Sequence, residues 1–203
     1  MIAVLSSIIL LLAVLSLLTA IYLNIESYHK PLIKWVSIQS IIIAIIFFLY
    51  GCIYHNESFY LLSMFTLFFR AILIPIVLSK YVKDPLQRSR TRPAIYSIVS
   101  IFIIVLSYYL YTTIFFIFPV IGAIPLSLLL SGLFILASRR STTGKLIGYI
   151  VEENGILFLT AILVPTLPFI VEVGVTLDLV AVLIVAVIMK DLKLDLNLPE
   201  LRG

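Results

Sequence analysis

Seven runs of roughly twenty apolar residues follow one another along this chain, each long enough to cross a bilayer as a helix. They cover approximately Ala3–Leu23, Trp35–Tyr54, Phe59–Leu78, Ala94–Phe115, Phe118–Ala137, Leu146–Val164 and Ile170–Met189. Hydrocarbon offers a backbone no hydrogen-bond partner, so each run must satisfy its own N–H and C=O groups, and a helix does so. The expected fold is therefore all-α, a polytopic integral membrane helix bundle of about seven transmembrane helices. Hydrophobic residues are 63% and charged residues 12% of the 203, against about 45–50% and about 25% in a soluble domain. Seven spans and short loops use the chain up, so any catalytic head is expected on another chain.

The basic residues give the bundle a direction. Lys30 and Lys34 fall between the first and second runs, Lys80, Lys83, Arg88, Arg90 and Arg92 between the third and fourth, and Arg139, Arg140 and Lys145 between the fifth and sixth. Lys190, Lys193 and Arg202 follow the seventh, and the alternate loops carry no Lys or Arg. By the positive-inside rule the basic side is cytoplasmic, which puts the N-terminus outside and the C-terminus in the cytoplasm. The net charge of +4 is thus a matter of topology and implies no nucleic acid partner. The first run has no basic segment before it and is too long for a signal-peptide core, so it is expected to be retained as a membrane helix. The single cysteine, Cys52, excludes an internal disulfide and a cysteine-rich cluster, and the two histidines, His29 and His55, lie outside the apolar runs. The chain itself is expected to hold no cofactor.

Charged groups inside the runs are the candidates for function, because an ionisable residue at mid-bilayer costs about 2.5–3.5 kcal/mol on insertion scales. Arg70 stands midway along the third run, about ten residues from either end, too deep for its side chain to reach an interface. It is expected to face the bundle and pair with an acid, and Pro75 just beyond it is expected to kink the helix. The last two runs carry Glu152, Glu153, Glu172 and Asp178, and Pro165-Thr166-Leu167-Pro168 between them predicts an antiparallel hairpin. Counting from the apolar boundaries puts Glu152 and Glu153 about two turns in from the cytoplasmic end, Asp178 near mid-membrane and Glu172 near the outer end. At 100° per residue Glu152 and Glu153 diverge, and so do Glu172 and Asp178. Gly148 and Gly155 share a face with Glu152, and Gly174 one with Asp178; small residues at such spacing let helices approach closely. Burial raises the pKa of a carboxylate and a nearby cation lowers it, so acids poised between the two are suited to load and release a proton. Tyr149 and Asn154 are the polar groups placed to support them.

The segments SRRSTTGKLIGYIVEENG, VEVGVTLDLVAVLIVAVIM and LDLNLPELRG resemble the hydrogenase-4 membrane component E family, as do SIQSIII and LFFRAILIPIVL upstream. The last three runs and the tail are also similar to the K-type small membrane subunit of respiratory complex I and to the C subunit of Mrp-type antiporters, with Arg139-Arg140 and Arg202-Gly203 as landmarks. The resemblance implies two regions: residues 1–115, a four-helix membrane region, and residues 116–203, a K-type-like three-helix module with a cytoplasmic tail. It implies a non-catalytic subunit in the membrane arm of a group 4 nickel–iron hydrogenase-like or complex-I-like redox complex, in the plasma membrane of a prokaryote. The expected partners are antiporter-like membrane subunits and a peripheral redox arm with nickel–iron or iron–sulfur subunits. Glu153 and Glu172 are the nearest candidates for the K-type proton-path glutamates. Asp178 would then be a mid-membrane step, Glu152 a second relay or structural acid, and Arg70 the counter-charge. Two other readings stay open: a free-standing secondary cation/proton antiporter, and a structural spacer of the arm.

Overall fold

The computed structural model describes residues 2–81, 93–114, 120–139, 141–165 and 173–174. Among them every regular element is helical. Helix α1 is Ile2–Ile25, α2 is His29–Tyr54, and the third span runs through α3 (Glu57–Phe65), a π-helical segment (Thr66–Leu73) and α4 (Ile74–Tyr81). Then come α5 (Pro93–Ile114), a short 3-10 turn (Val120–Gly122), α6 (Ala123–Ser138) and α7 (Thr142–Leu163). Five helical stretches are long and apolar enough to cross a membrane, and α6 is a shorter apolar helix. Of the expected seventh span only Val173 and Gly174 are among the described residues; Glu172 and Asp178 lie outside them.

Two helices begin earlier than their apolar runs. Helix α2 opens at His29 instead of Trp35, since Pro31 in a first turn removes an N–H that would have had no helical partner. Helix α7 opens at Thr142 instead of Leu146, where the Ser141 side chain accepts the Gly144 N–H at 3.1 Å. That extra turn lengthens the helix outside the apolar run. Glu153 lies eleven residues after Thr142 and ten before Leu163, at the midpoint of α7, and seven residues, about two turns, inside the apolar run that opens at Leu146.

The helices alternate in direction. Arg139, just past α6, sends its Nη2 to the carbonyls of Leu23 (3.1 Å), Asn24 (2.9 Å) and Glu26 (2.6 Å) at the end of α1. It also lies 5.8 Å from the Tyr96 ring at the start of α5, and Asn24 Nδ2 donates to Ser100 Oγ. At the other end Asn56, between α2 and α3, donates to the Pro165 carbonyl beyond α7 at 3.3 Å. Lys30, Lys34, Lys80, Arg139 and Lys145 therefore share one end of the bundle.

Arg139 works as a cationic cap on the α1 C-terminus, where orphan carbonyls and the helix dipole favour positive charge. Burial pulls its pKa down, against the Tyr96 and Glu26 groups that hold it up. Burial pushes the Glu26 carboxyl up, but the Tyr22 hydroxyl, the Tyr28 and Ser27 N–H groups and Arg139 outweigh it and leave Glu26 below its ordinary value. Arg139→Gln is expected to destabilise the bundle by about 2–3 kcal/mol through the lost charge-assisted bonds. Thermal unfolding of the purified chain in detergent measures it, and an unchanged transition would remove the cap from the account.

The packed interior has two apolar halves. One gathers Ile42, Phe47, Phe59, Leu62, Leu128, Leu157 and Phe158. The other gathers Leu23, Leu32, Val36, Ile74, Leu78, Ile135, Ile147 and Val151. Within α2 the first half begins at Ile42 and the second ends at Val36; within α7 the second ends at Val151 and the first begins at Leu157. A gap is left on each helix at the same height, and the polar residues occupy it.

Candidate functional site

The polar layer is built by α1, α2, the π segment and α7. Arg70 is fully buried and Glu153 is 2% exposed, with Arg70 Nη2 3.4 Å from Glu153 Oε2. The other terminal nitrogen of the same guanidinium, Nη1, donates to Asn154 Oδ1 at 3.3 Å. Asn154 Nδ2 donates in turn to Ser40 Oγ (3.1 Å) and Gln39 Oε1 (3.4 Å). Gln39 Nε2 then donates to the Ser16 carbonyl of α1 at 3.2 Å. Gln39, Ser40, Asn154 and Ser16 are all buried. An ion pair in the core is thus continued, through two carboxamides, into a chain of hydrogen bonds that crosses the bundle.

The π segment sets Arg70 in this layer. Ile74 N–H bonds the Phe69 carbonyl, five residues back, instead of the carbonyl of Arg70. Pro75 has no N–H to return to Ala71 four residues earlier, and the Ser37 hydroxyl of α2 donates to that Ala71 carbonyl. A freed carbonyl inside a membrane needs such a partner. The expected irregularity at Pro75 is therefore present as a widened turn that begins before the proline. Single π turns occur frequently at functional sites.

Helix α7 presents different faces to its neighbours. A Cβ on Gly132 of α6 would come within 2.2 Å of the Glu152 backbone nitrogen, and one on Gly155 within 2.4 Å of the Leu129 nitrogen. A Cβ on Gly148 would lie 2.7 Å from the Leu136 nitrogen. The face with Gly148, Glu152 and Gly155 therefore lies against α6, and the next position around the helix turns Glu153 toward Arg70. Glu152 is half-buried and stays out of the Arg70 layer. Tyr149, one turn before Glu153, packs at the edge of the apolar half that holds Val151.

Of the residues singled out in the sequence, the fold brings Arg70, Glu153 and Asn154 together. Glu172 and Asp178 lie outside the described residues. Gln39 and Ser40 were not among the sequence candidates: they stand five and six residues past Lys34, near the start of the apolar run, and carry no charge to mark them. Ser16 contributes a main-chain carbonyl, which no side-chain pattern announces. No known protein family, curated protein or solved structure matches the chain.

Proposed function

We propose that this chain is a proton-handling subunit of the membrane arm of a group 4 nickel–iron hydrogenase-like or complex-I-like redox complex, in which Glu153 is the acid that takes up and releases the proton. The observation that carries the proposal is the Arg70–Glu153 pair at mid-depth, continued through Asn154 to Gln39 and Ser40. Two charges at the centre of a membrane bundle are expensive, and a packing role does not need them.

The chemistry follows from the fork of the guanidinium. Ionised Glu153 is balanced by Nη2, while Nη1 is held by the Asn154 carbonyl oxygen. When Glu153 is protonated, Asn154 still anchors Arg70, so the cation is not left without an acceptor. Asn154 and Gln39 carry no titratable proton. Their part is to orient the layer and to fix the donor direction from Arg70 toward α1. Protons reach and leave Glu153 through water or through acids outside the layer, for which Glu152, Glu172 and Asp178 are the candidates in this chain. The redox reaction, its metal centres and the antiporter-like neighbours belong to partner subunits in the prokaryotic plasma membrane.

In an assembled complex, Glu153→Gln is expected to leave assembly and electron transfer in place and to reduce proton translocation at least tenfold, because glutamine accepts from Arg70 but loads no proton. Proton uptake into inverted vesicles measures it. Pumping at the wild-type rate would sink the proposal and favour a structural spacer. Cation/proton exchange by the purified chain alone in liposomes would favour a free-standing antiporter.

A further inference from the structure

A groove of about 510 Å³ runs between the first half of α2 and the second half of the third span, from Lys30 and Ser79 to Ala71, and neither Arg70 nor Glu153 lines it. Lys30 and Lys34, exposed and four residues apart on one face of α2, stand at its end near the basic rim of the bundle. Its walls are apolar: Ile33 and Ile38 from α2, Ile72 and Ile76 from the third span. Lys30 to Ile38 is a rise of about 12 Å along the helix.

Two hydroxyls also line the groove, and both are engaged inside the protein. Ser37 donates to the Ala71 carbonyl and Ser79 to the Ile76 carbonyl. A polar ligand would find no donor along the walls, whereas an alkyl chain needs none. Two ammonium groups at the mouth of an apolar slot, at the depth where a membrane changes from headgroup to hydrocarbon, match a molecule that is anionic at one end and apolar at the other. A lysine there attracts anionic lipid and keeps its stem in the apolar region.

We infer that this groove seats one acyl chain of an anionic phospholipid, whose phosphate is held by Lys30 and Lys34. The site is separate from the proton step and stands or falls independently of it. The lipid lies along the helix pair that carries the π segment and Pro75, and it covers the flank where Ser37 holds the Ala71 carbonyl.

The test is native mass spectrometry of the full purified chain in a neutral detergent, with phosphatidylglycerol and phosphatidylcholine of the same acyl chains offered together. The wild type is expected to retain one phosphatidylglycerol with a preference of about tenfold or more over phosphatidylcholine. Lys30→Gln with Lys34→Gln should bring that preference near unity, and Ile76→Trp should reduce binding of both lipids by narrowing the groove. Lys145→Gln, at the same end but outside the groove, should leave the preference as it was. Glycerol phosphate in excess should not displace the lipid, since the acyl chain is part of what is recognised. Equal retention of the two lipids by the wild type overturns the inference. So does a preference that survives the double lysine change, an effect of Lys145→Gln as large, displacement by glycerol phosphate, or lipid binding unaltered by Ile76→Trp. A protein segment seated in the groove would give the same negative result.

Discussion

Arg70→Met alone is expected to destabilise the folded bundle by about 3–5 kcal/mol, the usual cost of removing one partner from a buried ion pair. The change keeps the stem of the side chain and deletes the guanidinium. Glu153 would remain 2% exposed beside methionine, and Asn154 Oδ1 would lose its donor. Glu153→Gln is expected to cost less, because its amide oxygen can still accept from Arg70. Arg70→Met with Glu153→Met should recover most of the loss, since replacing both members of a buried pair with apolar groups is often neutral or better. Unfolding of the purified chain in mixed micelles, with Glu153→Met alone as the remaining single variant, gives the four corners of a double-mutant cycle. A coupling of about 2 kcal/mol or more is expected between the two positions. Additive losses would mean that the pair is not an energetic unit, and would weaken the case that Glu153 is balanced by Arg70 when ionised.

The membrane character of the chain was legible because hydrocarbon allows so few solutions. Apolar runs of span length have to be helices, and the structure has five of them and a shorter sixth among the described residues. Among the described residues Lys30, Lys34, Lys80, Arg139 and Lys145 lie at one end of the bundle, as the alternation of basic and non-basic loops in the sequence predicts. Helix ends were harder to read. Apolar runs mark where hydrocarbon begins, whereas helices begin where a cap allows: Ser141 starts α7 a turn outside the run, so Glu153 is central in the helix while about two turns into the run.

The site itself was half legible. Arg70 and Glu153 are conspicuous because ionisable residues are costly where they stand, and the depth argument that singles out one predicts a partner for it. Which acid it meets depends on helix rotation. That rotation is fixed by Gly132, Gly148 and Gly155, whose contacts turn one face of α7 to α6 and so give Glu153, not Glu152, to Arg70. Gln39 and Ser40 are neutral and raise less alarm in an apolar run, yet Asn154 reaches both. The π turn leaves no mark in the sequence beyond Pro75, because the register shift it makes is a matter of backbone geometry.

Gly132→Ala tests that control of rotation, and its effect is expected to be large. The added methyl would meet the Glu152 nitrogen at 2.2 Å and its Cα at 2.5 Å, and backbone cannot rotate out of the way as a side chain can. Helix α7 must then move away from α6, at a cost of about 3 kcal/mol, the upper part of the usual range for overpacking. Gly132→Leu is expected to prevent the native packing of the pair. The displaced backbone adjoins Glu153 directly, so the movement reaches the polar layer. In the Gly132→Ala background the coupling between Arg70 and Glu153 is therefore expected to fall below half its wild-type value, measured by the same cycle. If stability drops and the coupling is intact, α6 holds α7 in place without setting the direction of Glu153. If both drop, the glycine face of α7 is what aims its acid.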